Sequence, residues 1–154
     1  MNEAGTGQKP LAQEMDFTVR MYDIDFNGHV SNIAYIRWLE DLRMVGFEQI
    51  ASMEDCLKAG QVPVLLSTTI DYKWPIYMFE KPKGMLWISG FTRTTFKIEA
   101  EICVDGRICA KATQTCVFIN KKTNRATRLP EAVLSKLKQV LPESVERKPL
   151  PACK

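Results

Sequence analysis

The apolar positions along the chain change their period as the sequence proceeds. Residues 16–23 (DFTVRMYD) alternate, with Phe17, Val19 and Met21 on one face, which predicts a short half-buried strand. From residue 32 the spacing becomes helical. Ile33, Ile36, Leu39 and Leu42 recur three apart, Tyr35, Met44 and Val45 lie close to that stripe, and Arg37, Glu40, Asp41 and Arg43 fall largely opposite. This predicts an amphipathic helix over 32–45, with Ser31 or Asn32 as N-cap and Gly46 ending or bending it. Residues 53–59 predict a second, short helix stopped by Gly60.

Strands fill most of the remainder. Residues 63–79 are rich in β-branched and aromatic side chains, with a bulge or an edge expected at Pro75. Residues 85–95 predict another strand. Residues 97–104 alternate with Ile98, Ala100, Ile102 and Val104 on one face, Asp105-Gly106 makes a hairpin turn, and 107–119 return. After the polar turn 120–125, Pro130 at the first helical position opens a short helix, EAVLSKLKQVL. A helix inserted after the first strand, followed by an antiparallel meander, implies an α+β domain in which one sheet wraps the long helix. Ile33, Ile36, Leu39 and Leu42 would face that sheet. The expected organisation is a disordered segment 1–14, one domain 15–141 and a flexible tail 142–154.

Composition narrows the classes of function. A chain of 154 residues with 45% hydrophobic and 25% charged residues is that of a soluble globular domain with a real core. A net charge of +3 without a dense Lys/Arg block argues against nucleic acid, while leaving room for an anionic small ligand. No apolar signal region opens the chain, and no apolar run approaches the ~18 residues of a membrane span. Cysteines at 56, 103, 109, 116 and 153 form no CxxC, and His29 is the only histidine, so no metal site is expected. Free thiols in a reducing cytoplasm follow. A two-residue loop at Asp105-Gly106 would set Cys103 opposite Ile108 and turn Cys109 to the other face; a three-residue loop would bring the two cysteines together.

The chemistry concentrates in 23-DIDFNGHVSN-32. Asn27-Gly28 is a hairpin signal, but a type I′ hairpin needs a strand on each side, and the residues that follow have helical spacing. The segment therefore reads as a strand-to-helix connection. A helix start exposes unpaired N–H groups and partial positive charge, which suit an anion or a developing oxyanion. Asp25 lies just upstream, and a carboxylate beside such a helix end is what hydrolysis of an acyl group requires. Asp25 also suits a capping role. Asp23 reads as a residue that holds the loop. Asn27 suits either orientation of a water or acyl carbonyl, or tolerance of left-handed backbone. Gly28 allows close ligand approach, and His29 suits either proton transfer or packing. Tyr35 fits the core better than catalysis. Asp71, Glu80 and Glu99 are weaker candidates for the carboxylate.

These residues resemble a family. The run D-x-D-x-x-G-H-V-x-N, here Asp23, Asp25, Gly28, His29, Val30 and Asn32, is similar to the signature of hotdog-fold thioesterases of the 4-hydroxybenzoyl-CoA thioesterase type. The segments 70–75 and 105–130 resemble that family's long strand and its last hairpin strand with the following loop. The likeness spans roughly residues 16–138. Asp25, Asn27 and His29 also match the D-x-N-x-H pattern of plant acyl-carrier-protein thioesterases, which carry two such domains. The resemblance implies a hotdog domain that hydrolyses an acyl-CoA or acyl-carrier-protein thioester in fatty acid metabolism. It needs no cofactor, coenzyme A entering only as part of the substrate. Asp25 would attack the carbonyl or activate water, and a main-chain N–H near Asn32, or at His29 or Val30, would hold the oxyanion. A thiolate leaves readily, so one carboxylate suffices.

Family sites lie between subunits, which implies a homodimer or homotetramer whose long strands pair. Ser67, Thr68 and Thr69 would then approach the acyl group from a neighbouring subunit, and Arg93 and Lys97 would meet the coenzyme A phosphates. A second type of hotdog enzyme places a Glu on the long helix, where Glu40 is nearest, but the Asp motif argues against that type. A hotdog protein that binds thioesters without cleaving them, or a 3-hydroxyacyl dehydratase using His29, are the alternatives.

Overall fold

A computed structural model describes residues 9–141. The elements are β1 (Gln13–Asp16), α1 (Asn32–Glu48), α2 (Met53–Ala59), β2 (Gln61–Tyr72), β3 (Lys83–Phe91), β4 (Thr95–Val104), β5 (Arg107–Asn120), β6 (Arg125–Ala126) and α3 (Glu131–Val140). The sheet is antiparallel, in the order β1-β3-β4-β5-β2 with β6 beside β5. It curls around α1, as the element order implied and as the resemblance to hotdog-fold enzymes led one to expect.

The β4–β5 hairpin follows the alternation closely. Ile98, Ala100, Ile102 and Val104 are all buried, and Asp105 and Gly106 both take positive φ, as a type I′ turn demands. Cys103 pairs with Ile108, and a register shift leaves Cys109 buried on the other face. The four cysteines among the described residues are free, and α2 spans Met53–Ala59 with Gly60 in the left-handed region as its C-cap.

Elsewhere the boundaries move. The first strand was expected over 16–23 but occupies Gln13–Asp16; Phe17 and Val19 are buried, whereas Met21 is 83% exposed. The chain leaves the sheet because Asp23 folds back: its Oδ2 accepts from the Arg20 N–H at 2.8 Å, closing a 3₁₀ turn over Met21–Asp23. Of the segment expected to be disordered, Gln13 and Glu14 pair with Leu86 and Met85, and the Lys9 ammonium lies 4.2 Å from the Trp87 ring centre. Residues 1–8 and the tail 142–154 lie outside the described residues.

The long strand expected over 63–79 ends at Tyr72, short of Pro75, because the Lys73 and Trp74 N–H groups both turn to the Cys109 carbonyl. Its register shift lies between Leu65 and Ser67 instead. The strand expected over 85–95 stops at Phe91, where Thr92 caps the turn through its hydroxyl. Pro130 is the N-cap of α3, one residue before its expected place.

The buried face of α1 also differs from the expected stripe. Ile33 and Ile36 are 64% and 47% exposed, while Ala34, Tyr35, Trp38, Leu39, Leu42, Gly46 and Phe47 are buried. Aromatic packing rotates the helix. Trp38 stacks on Phe17 with centroids 5.0 Å apart, and Tyr35 meets Tyr72 edge-on at 5.1 Å. Gly46 does not end the helix, which runs on to Glu48. A Cβ at Gly46 would lie 2.7 Å from Leu86 Cδ2, so its glycine lets α1 approach β3.

Candidate active site

The corner preceding α1 is tighter than a plain connection. Asp25 N–H donates to the His29 carbonyl at 3.0 Å, Gly28 N–H donates to the Asp25 carbonyl at 3.0 Å, and Ile24 bridges Val30. Gly28 has φ +82°. This is a three-residue hairpin loop over 26–28 with glycine at its left-handed position. The hairpin rejected on helical spacing is therefore present, one bridge long, and α1 begins immediately after it. Both sequence signals were valid because the turn needs only one ladder rung before Ser31 caps the helix. Asn27 lies in this loop without positive φ; only its glycine neighbour carries that conformation.

Asp25 is held by this turn. Its Oδ1 accepts from the Asn27 N–H at 2.8 Å, while its Oδ2 lies 3.9 Å from His29 Nδ1. Both side chains are partly exposed. The carboxylate is thus anchored through one oxygen and presents the other to solvent and to the imidazole. Tyr77 stands edge-on to His29, with centroids 6.5 Å apart. Asp23 is buried and bound to the Arg20 N–H, and its carbonyl accepts from the Ser31 N–H at 2.7 Å, so it holds the loop.

The amides at the helix start divide cleanly. Val30 N–H donates to the Ile76 carbonyl at 2.8 Å, Ile33 N–H to the Ser31 hydroxyl at 3.3 Å and Ala34 N–H to the Ser31 carbonyl at 3.0 Å. The Asn32 N–H, first in α1, donates to no group among the described residues. Val30 is thereby unavailable as a main-chain donor, while the Asn32 N–H and the His29 N–H, which likewise donates to no group among the described residues, are available.

His29, Val30, Asn32 and Tyr35 line a recess of about 240 Å³ with Tyr72, Lys73, Trp74 and Pro75. The last four were read as strand, and Tyr77 was not singled out; their relation to the corner depends on the chain leaving the sheet after Tyr72. Burial, aided by Cys109, Tyr72 and Glu80, raises the Tyr35 phenol well above its ordinary range, so it stays protonated.

Other candidates lie elsewhere in the protomer. Ser67 and Thr68 sit mid-strand in β2, with the Thr68 hydroxyl accepting from Gln114 Nε2 at 3.0 Å. Arg93 lies in the β3–β4 turn. The adjoining Thr95 pairs with Val117, seven residues along β5 from Ala110, the partner of Tyr72; strand rise makes that about 24 Å. Glu99 binds the Thr113 hydroxyl, Glu80 binds Arg107 and the Tyr77 N–H, and Asp71 is exposed on β2. No group of three His, Cys, Asp or Glu side chains among the described residues is placed to hold a metal.

A second, larger cavity of about 360 Å³ opens under the C-terminal half of α1, lined by Phe47, Ile50, Leu65, Ile88, Ile98 and Cys116 among others, with Glu40 and Arg43 also contributing from α1. Burial pushes the Cys116 thiol up to about 11, against the opposing charge of Arg43. None of the apolar lining residues had been read as part of a site.

Comparison with known proteins places the chain. Residues 19–137 match the model of the thioesterase-like superfamily. The chain is 27% identical over 129 residues to the long-chain acyl-CoA thioesterase FadM of Escherichia coli (strain K12), covering 80% of this chain and 95% of that protein. In fold it is similar to a DHNA-CoA thioesterase from Staphylococcus aureus, with a TM-score of 0.75 at 20% identity, covering 83% of this chain and 91% of the other. It is likewise similar to a thioesterase complexed with coenzyme A and Zn from Thermus thermophilus, with a TM-score of 0.73 at 23% identity, covering 86% and 95%. With its sheet wrapped on one long helix, this chain belongs to the thioesterase-like superfamily and is a hotdog-fold thioesterase.

Proposed function

We propose that the protein hydrolyses acyl-coenzyme A thioesters, with the Asp25 carboxylate and the Asn32 N–H as the two working groups. The observation that carries this reading is the anchored Asp25, one oxygen bound and one free, just ahead of the unoccupied first amide of α1. The helix start adds partial positive charge where the carbonyl oxygen turns negative. Asp25 Oδ2 either takes a proton from water as the water oxygen bonds the acyl carbon, or bonds that carbon itself to form an anhydride that water cleaves, after the thiolate has left, into the acid and the free Asp25 carboxylate. The carbon–sulfur bond then breaks and the thiolate leaves. His29 positions the free carboxylate oxygen, and Gly28 holds the loop in shape. The similarity to an acyl-CoA thioesterase, over 95% of that protein's length, supports the substrate class.

The same reading includes a dimer formed along β2. That strand is twelve residues long, has one edge unpaired among the described residues, and leaves Leu66 60% exposed. Antiparallel pairing of two such strands would bring Ser67 and Thr68 of the partner subunit toward the corner. The test is Asp25→Asn assayed by thiol release. Turnover should fall by about a hundredfold or more with Tm preserved; near-native kcat would refute the assignment.

A further inference from the structure

The connection from β2 to β3 touches the corner before α1 and is clamped from outside it. We propose that Glu80, gripped by Arg107, is a positioning residue for the corner: through the Ile76–Tyr77 peptide it fixes the Val30 amide, and through the Tyr77 ring it fixes His29. The inference rests on the hydrolytic reading above for the reacting groups and adds what holds them in place.

The connection has no ladder of its own. Pairing ends at Tyr72 and resumes at Lys83, which leaves residues 73–82 between the strands. At one end the Lys73 and Trp74 amides donate to the Cys109 carbonyl; at the other the Pro82 carbonyl accepts from the Phe17 N–H. Between these anchors only the Ile76 side chain is fully buried, while Tyr77 and Phe79 are 51% and 93% exposed. Packing alone leaves the stretch after Ile76 weakly fixed, and Glu80 supplies the missing restraint. Its N–H donates to the Tyr77 carbonyl at 3.1 Å, and the Tyr77 N–H donates back to its Oε2 at 2.8 Å, so the two residues close a turn on each other. Oε1 accepts from the Arg107 guanidinium at 3.2 Å. Arg107 opens β5, so the clamp ties the turn to the β4–β5 hairpin. Both Glu80 oxygens are engaged, whereas Asp25 keeps one free, so Glu80 is not the reacting carboxylate.

One planar unit carries this restraint to the corner. The Tyr77 N–H bound by Glu80 and the Ile76 carbonyl bound by Val30 belong to the same peptide group. A trans peptide is rigid and its N–H and C=O point in opposite directions, so fixing one fixes the other. The carboxylate also polarises the peptide, which makes the carbonyl a better acceptor. The amide it receives, that of Val30, lies between the open amides of His29 and Asn32. The Tyr77 ring stands edge-on to His29, whose Nδ1 lies 3.9 Å from the free Asp25 oxygen.

The test uses the full chain with Glu80→Ala, Arg107→Met, Arg107→Lys and the double variant Glu80→Ala/Arg107→Met. Glu80→Ala should lower kcat in thiol release by about tenfold, as misplacement of reacting groups does, with KM little changed. Its Tm should stay near that of the wild type, because an exposed ion pair adds little stability. Proton NMR without substrate reads the mechanism directly. In Glu80→Ala the Val30 amide resonance should move upfield as its hydrogen bond weakens, and the ring signals of His29, the only histidine, should shift at fixed pH. Arg107→Met should move kcat and both signals the same way, Arg107→Lys should restore them, and the double variant should be no worse than Glu80→Ala. Unchanged kcat with unchanged Val30 and His29 signals in folded Glu80→Ala overturns the proposal, as do losses that multiply in the double variant. If Glu80→Ala does not fold, equal turnover in Arg107→Met and Arg107→Lys overturns it. The NMR readout needs no turnover, so it is separate from the hydrolytic reading. If Asp25→Asn stays active while Glu80→Ala shifts both signals and lowers kcat, the role of Asp25 fails and the positioning role stands.

Discussion

The corner and the chamber are built in opposite ways. The corner takes its essential groups from ten consecutive residues, and apart from the Val30 N–H bond to the Ile76 carbonyl its hydrogen bonds span two to eight positions. The chamber, the cavity under the C-terminal half of α1, draws on α1, the loop before α2, the first residue of α2 and four strands, so its wall is assembled from contacts across most of the chain. Reactive groups can be pre-organised by one tight turn, because a few local hydrogen bonds determine each dihedral. A hydrophobic cavity exists only after the sheet has curled, since each lining residue supplies one patch of wall. Damage to the corner should therefore appear in turnover, and damage to the chamber in stability.

The largest effect expected from breaking this contrast is at Phe47, whose ring packs among Phe96 and Phe118 at 6.4 and 6.0 Å. Phe47→Ala should lower unfolding free energy by about 3–5 kcal/mol in chemical denaturation. Asp25→Asn comes next and lies on the other side of the comparison. A hundredfold loss of turnover corresponds to about 2.7 kcal/mol of barrier, with the denaturation midpoint little changed. If Asp25→Asn unfolds the protein instead, the carboxylate is mainly a turn residue.

Two glycines sharpen the chamber's side. A Cβ at Gly84 would meet Phe17 at 2.6 Å and Leu42 at 2.7 Å, both buried, so Gly84→Ala should cost about 1–3 kcal/mol by overpacking. A Cβ at Gly46 meets only the end of Leu86, which borders the open chamber. Gly46→Ala should be measurably milder in chemical denaturation, with Leu86 displaced into the cavity. Equal losses for the two would mean that the cavity gives no relief.

Smaller again is Ser31→Ala, which removes the hydroxyl that accepts from Ile33 and should cost about 1 kcal/mol. Turnover should fall more than stability, because the start of α1 presents the Asn32 amide. The smallest effect is at Glu101. Burial raises its pKa, but the ammonium groups of Lys9 and Lys111 outweigh this and hold it below the ordinary carboxylate value. A depressed folded-state pKa contributes stability above the unfolded pKa, and this is lost as pH falls through the folded value. Glu101→Gln should flatten that acid slope by less than about 1 kcal/mol.

Local pattern carried the hairpin at Asp105-Gly106, the second helix with its Gly60 cap, the alternating strand over 97–104 and a cap at Ser31 or Asn32, of which the structure uses Ser31, since each depends on dihedral preference or nearest neighbours. It failed where distant partners compete. Ile33 and Ile36 fit a helical stripe as well as Ala34 and Trp38 do, and only the stacking of Trp38 on Phe17 and of Tyr35 on Tyr72 selects the buried face. The strand ending at Tyr72 looked continuous because its successors are aromatic and β-forming. The Cys109 carbonyl, nearly forty residues away in the chain, draws the Lys73 and Trp74 amides out of the ladder.

By itself, the sequence determined an α+β chain with a carboxylate just ahead of a helix start, because turn chemistry and capping act over a few residues. The tertiary structure decided which helix face is covered, that Val30's amide is spent on Ile76 while Asn32's stays open, and that a largely apolar cavity, with Glu40 and Arg43 in its wall, lies along α1. Those outcomes depend on which surfaces meet when the sheet closes on the helix, and that competition is settled by packing across the whole domain.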